Sequence, residues 1–178
     1  AADERERRRR ADERKGPPRE EVVITAGEKK GTEPEPIPED ELPALQPCEK
    51  GSNAAACGLL EIDGKQTRIT IHVAPALMMK GSGDLDPGAL KKANEKSVEN
   101  LLPCYAWAHQ REGATKTEYD VEYTIDEDGS VRDASAKAAD YPVGAAVCLQ
   151  ERIEQWTMPE PLGGPVTVIG TYTFTAAN

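Results

Sequence analysis

The most regular stretch of the chain runs from Thr117 to Ile125. There Tyr119, Val121, Tyr123 and Ile125 alternate with Glu118, Asp120, Glu122 and Thr124. A period of two predicts a strand with one apolar and one acidic face. "DEDG" follows as a hairpin turn, and Ser130 to Lys137 returns as the partner strand. "YPVGAAVCLQERIEQW" carries Ala146, Leu149, Ile153 and Trp156 at helical spacing, and "MPEPLGGP" ends that helix. "VTVIGTYTFT" is a last strand, with Val166, Val168, Tyr172 and Phe174 set against Thr167, Thr171 and Thr173. Upstream, Asp86-Pro87 opens a helix, since aspartate caps and proline suits the first turn. That helix carries Leu90, Val98, Leu101, Leu102 and Tyr105, and Pro103 should kink or divide it.

From Asp86 onward the order is therefore helix, strand, strand, helix, strand. Two helices packed on one face of a small, mostly antiparallel sheet bury every apolar stripe, so the fold class is α+β. An extra N-terminal hairpin precedes this unit: "LLEI", an Asp63-Gly64 turn and "QTRITIHV". "KGSGDLDPG" reads as a loop. The organisation expected is a charged arm over 1–20 that could be helical, and a proline- and acid-rich spacer over 21–45 with one short strand at Glu21 to Thr25. A cysteine loop and hairpin over 46–82 follow, then the α+β unit over 83–178.

Charge narrows the function. The total is −10, but residues 1–20 hold eight basic and six acidic side chains, leaving −12 on the rest. An acidic body without basic–aromatic patterning excludes nucleic acid as its partner, and "RERRRR" is the one place where such binding could reside. No apolar run reaches the length of a membrane-spanning helix. No signal peptide is visible, although the "AADE" start suits a chain already trimmed after small residues. With 38% hydrophobic and 4% aromatic residues, the chain is lean for one packed throughout.

Four cysteines fall at 48, 57, 104 and 148. No C-x2-C pair suggests zinc, no redox CxxC is present, and His109 stands about 140° around the helix from Cys104, off its face. An even count in a core-poor chain fits disulfides and an oxidising compartment. Of three connectivities, Cys48–Cys57 with Cys104–Cys148 is favoured, the first closing a local loop and the second tying the two helices. The chain-entropy model assigns these roughly 2.7 and 4 kcal/mol. Buried free thiols, or a thiol- or metal-dependent protein using Cys104 and Cys148, are the alternatives.

Other constellations carry less. His72 and His109 read as ordinary surface or half-buried residues. The "DEDG" stretch fails as a calcium loop, because Thr124 and Ser135 stand where carboxylates are required, so it is a turn. Tyr105, Trp107 and Trp156 could form an aromatic binding spot, but such residues more often fill the seam between helices and sheet. No phosphate loop, G-x-S-x-G or H-E-x-x-H motif is present. The expectation is a protein with no enzymatic activity, no cofactor and no metal.

The segment from about 86 to 176 resembles the TonB-like C-terminal domain of the AgmX/PglI type, found in myxobacterial envelope and gliding-motility proteins. Cys104-Tyr105, Ile125 with Gly129 and Val131, Cys148, Trp156 with Pro159 and Pro161, and Tyr172 with Phe174 carry it. The resemblance implies a periplasmic interaction module in a cell-envelope complex with protein partners. It also implies bridged helical cysteines, and as an alternative a part in a TonB-like energy-coupling or motility machine. The binding mode expected is strand addition. It would use the final strand, through Val166, Val168, Thr171, Tyr172, Thr173 and Phe174, or the hairpin strand Thr117 to Ile125, whichever lies at the sheet edge.

Overall fold

The computed structural model describes residues 36–49, 54–138 and 143–178. The expected helix over 1–20 and the strand at Glu21 to Thr25 lie outside them. The fold is α+β, built on a seven-stranded antiparallel sheet. The strands are β1 (Gln46–Pro47), β2 (Ala56–Ile62), β3 (Lys65–Val73), β4 (Met78–Gly81), β5 (Lys116–Ile125), β6 (Val131–Lys137) and β7 (Val166–Ala177). Among the described residues three α-helices accompany them: α1 (Pro87–Ser97), α2 (Leu102–Glu112) and α3 (Val143–Glu154). A 3-10 segment, Val98–Leu101, joins α1 to α2, and Pro103 sits in the first turn of α2. The proline thus divides the helical run, because its ring tolerates a first turn and not a helix interior.

Local chemistry starts and stops these elements. The Asp86 carboxylate accepts from the Ala89 N–H at 2.8 Å and caps α1. Gly113, at φ 70°, closes α2 with its N–H on the His109 carbonyl. Asp63 and Gly64, both at positive φ, make the tight β2–β3 turn that "DG" predicts.

β7 is the spine of the molecule. Its even residues Val166, Val168, Tyr172 and Phe174 are buried, while Thr167, Thr171 and Thr173 are half-buried on the other face. The helices cover the first face: Tyr105 of α2 lies 5.1 Å from Phe174, and Asn94 of α1 bonds Tyr123 and Tyr172. Leu90, Val98, Leu101, Leu102 and Tyr105 are all buried, as their spacing predicts. So are Leu149, Ile153 and Trp156 of the second amphipathic stretch, and each large apolar side chain so buried contributes about 1.5–3 kcal/mol.

Three features differ from the expected layout. The hairpin β2–β3 is not a separate piece, since β3 pairs with β7 and completes the same sheet. Residues 36–45, expected in the spacer, lie on the body: Ile37 joins the core, and Arg111 of α2 reaches Glu41 at 3.8 Å. Met78–Gly81, whose last two residues fall in the stretch expected as a loop, forms β4 along β7.

Candidate functional site

Strand addition needs a row of unpaired backbone groups, so the edges of the sheet decide where a partner could pair. The order is β1-β2-β3-β7-β5-β6, with β4 following β3 along the same side of β7. The final strand, expected at the edge, is instead central. It pairs with β5 from Val166 to Thr175 on one side, and with β4 and then β3 on the other. Val166, Val168, Tyr172 and Phe174 point into the core, and Thr171 and Thr173 lie on the open face. The second expectation, Thr117 to Ile125, fails for the same reason, because β5 runs between β7 and β6. Both strands are long and regular, and those strands bury best at the centre of a sheet.

β6 is an edge, but a guarded one. Its register with β5 slips between Glu122 and Thr124, where Asp133 takes the left-handed conformation at φ 53°. That bulge twists the strand out of line for pairing. The Ala134 N–H is already bonded to the Glu154 carboxylate of α3 at 3.2 Å. Arg132 adds a charge at the edge, bonded through Nε to Asp126 at 2.8 Å and through Nη1 to Asp133 at 2.5 Å. Asp126 and Asp128 serve the turn: Asp128 accepts from the Ser130 N–H and hydroxyl, which lower its pKa.

The opposite margin is closed by β1, where Gln46 and Pro47 stand against Leu59 and Gly58. Cys48 takes the next register position, directly opposite Cys57, and the two form a disulfide with Cα atoms 5.7 Å apart. On the outer face the Arg68 Nε–H lies 3.2 Å from the Cys57 Sγ, and the same guanidinium donates to the Glu49 carbonyl.

β4 is different. No strand lies beside its outer side among the described residues. The Ala74 N–H donates to the Thr171 carbonyl, whereas the Ala176 N–H turns the other way to Thr115. Odd residues of β7 therefore bond toward β3 and β4. By register, Met78 and Lys80 face β7, while Met79 and Gly81 turn their backbone groups outward. Met78 is 66% exposed and Met79 37%, an unusual load of apolar surface on four residues. Beside them lies a groove of about 350 Å³ between the β3–β4 connection and the start of α1. Leu77, Met79, Pro87, Leu90 and Lys91 are among its lining residues.

The other sequence candidates resolve as structure. Cys104 and Cys148 form a disulfide between α2 and α3, 0% and 4% exposed, so neither offers the free thiolate that a thiol- or metal-dependent reading requires. His109 bonds the Ala114 carbonyl through Nδ1 at 2.7 Å, fixing the exit from α2. His72 sits on the open face opposite Thr173 of β7. Tyr105 packs on Phe174 and Trp156 on Tyr123, edge-on at 5.6 Å, so the aromatics fill the seam between helices and sheet. Beneath α1, burial pushes the Tyr123 hydroxyl up to about 12, against the lowering hydrogen bonds from Asn94 and Tyr172. Burial raises Tyr172 well above its ordinary value too, so these phenols stay neutral and act as packing with a polar tip.

Sequence reasoning missed β4 and the contact between Arg68 and Cys57. "MMKG" is too short to show alternation, and the Arg68 contact depends on the β2–β3 register. No family model matches the chain, and no curated protein or solved structure matches it.

Proposed function

We propose that this chain is a non-enzymatic, periplasmic binding component of a bacterial cell-envelope assembly, capturing an extended segment of a partner protein along β4. The observation that carries this reading is the outward backbone of Met79 and Gly81 beside exposed methionine side chains and an apolar groove. A strand laid there would bond to the outward N–H and C=O groups, with alternate side chains entering the groove past Met79. Methionine suits such a site, since its flexible thioether adapts to different side chains. Lys91 at the groove rim favours an acidic residue flanking the apolar ones. Export is supported by two disulfides, which persist in oxidising compartments. The resemblance of residues 86–176 to TonB-like C-terminal domains supports an envelope setting. Among the described residues no helix is long and apolar enough to cross a membrane.

The test uses a displayed library of unstructured peptides panned against the full chain. Captured sequences should alternate apolar residues beside an acidic one, and should slow amide exchange at Met79 and Gly81. Met79→Pro removes one outward donor without touching the β7 ladder, so it should abolish capture while near-ultraviolet circular dichroism is unchanged. Peptides that bind Met79→Pro as well as the parent chain would sink the proposal.

A further inference from the structure

The two disulfides sit in opposite environments. Cys104–Cys148 is buried between α2 and α3. Cys48–Cys57 lies at the sheet margin, with Cys48 half-buried and Cys57 6% exposed, and Arg68 is placed on one of its two sulfurs. A guanidinium 3.2 Å from Sγ contributes little to an intact disulfide, whose sulfur is neutral. It contributes much to a thiolate, which a nearby cation stabilises. We infer that Cys48–Cys57 is a thiol–disulfide exchange site, with Cys48 the attacked sulfur and Cys57 the leaving group, and that Cys104–Cys148 is not.

The co-reactant is a dithiol, small or borne on a protein. One thiolate of the donor attacks the Cys48 Sγ, the more accessible of the pair. The Cys48–Cys57 bond breaks, and its electron pair leaves on the Cys57 Sγ, held as thiolate against Arg68. A lower leaving-group pKa speeds this step. The donor's second thiol then attacks its own sulfur in the mixed disulfide, Cys48 departs and takes up a proton, and the donor closes to a disulfide. Two electrons have passed to the protein, and both donor protons are accounted for by Cys48 and solvent.

Reduction loosens the margin of the sheet. β1 is two residues long, and by register only Gln46 and Cys48 turn backbone groups toward β2 while Pro47 faces outward, so the disulfide reinforces a very short ladder. Released, β1 leaves the outer side of β2 without a neighbour. Exchange at Cys48–Cys57 thus frees a further edge along β2, on the same side of β7 as β4.

The experiment treats the oxidised full chain with graded dithiothreitol, quenches by alkylation and maps the labelled cysteines by mass. Cys48 and Cys57 should be labelled at doses that leave Cys104–Cys148 intact. Arg68→Met should slow the first reduction by roughly threefold to tenfold, and Arg68→Lys should restore part of the rate. Arg68 is exposed, so both variants should fold, which circular dichroism checks. Simultaneous reduction of the two pairs, or an unchanged rate in Arg68→Met, would overturn the assignment.

Discussion

Asn94 of α1 donates from Nδ2 to the Tyr123 hydroxyl of β5 at 2.9 Å, and the same amide reaches Tyr172 on β7. Asn94 is 0% exposed, in a position where a leucine would serve simple packing. Its bonds therefore pin the helix to the two central strands at one register. Asn94→Ala removes the donor from two buried hydroxyls and should cost about 1–3 kcal/mol. A shift of the urea midpoint at unchanged slope measures it, and an unchanged midpoint would show that the amide does not hold these phenols.

The same phenols predict an alkaline limit. Tyr123 has its pKa raised to about 12 in the folded state, and Tyr172 is raised by burial as well. A raised folded pKa means stability that is whole below the unfolded value, about 10, and is lost as pH climbs through the folded one. Unfolding midpoints should be flat up to about pH 10 and then fall toward 12. Tyrosinate absorbance in the folded chain should lag that of the denatured chain. Coincident titration curves would contradict it.

Cys104 and Cys148 are 44 residues apart and join α2 to α3. Closing a loop of that size removes denatured-state entropy worth roughly 4 kcal/mol, against about 2.7 for the short loop of Cys48–Cys57. The Cys104→Ala/Cys148→Ala double variant should therefore melt well below the parent, by roughly 8–16 °C in scanning calorimetry. The Cys48→Ala/Cys57→Ala double variant should lose less. The reverse ranking would place the main covalent constraint at the sheet margin.

Gly129, at φ 82°, packs its backbone under the Met158 carbonyl, and a Cβ there would stand 2.4 Å from that oxygen. The Met158 N–H also bonds the Gly129 carbonyl at 2.9 Å, tying the β5–β6 turn to the segment after α3. Gly129→Ala combines a disfavoured backbone with a backbone clash and should cost about 1–3 kcal/mol in chemical denaturation. A variant as stable as the parent would mean that the turn is free to move away.

Much of this molecule is legible residue by residue. Alternation from Tyr119 to Ile125 and from Val166 to Phe174 names both strands and their buried faces, because the pleat is a local periodicity. Asp86, the Asp63-Gly64 pair and Gly129 mark a helix start and two turns for equally local reasons. Leu90, Val98, Leu101, Leu102 and Tyr105, and Leu149, Ile153 and Trp156, are buried where their spacing placed them. What the sequence leaves open is adjacency. Nothing in "VTVIGTYTFT" says whether a strand has one neighbour or two, since the same alternation of side chains suits a central strand or an edge strand. The tertiary structure puts that strand in the middle, turns "MMKG" into the open edge, and lays Arg68 on Cys57. Each outcome depends on pairing between segments far apart in the chain, where the burial gained by the whole sheet, and not any local preference, selects the partner.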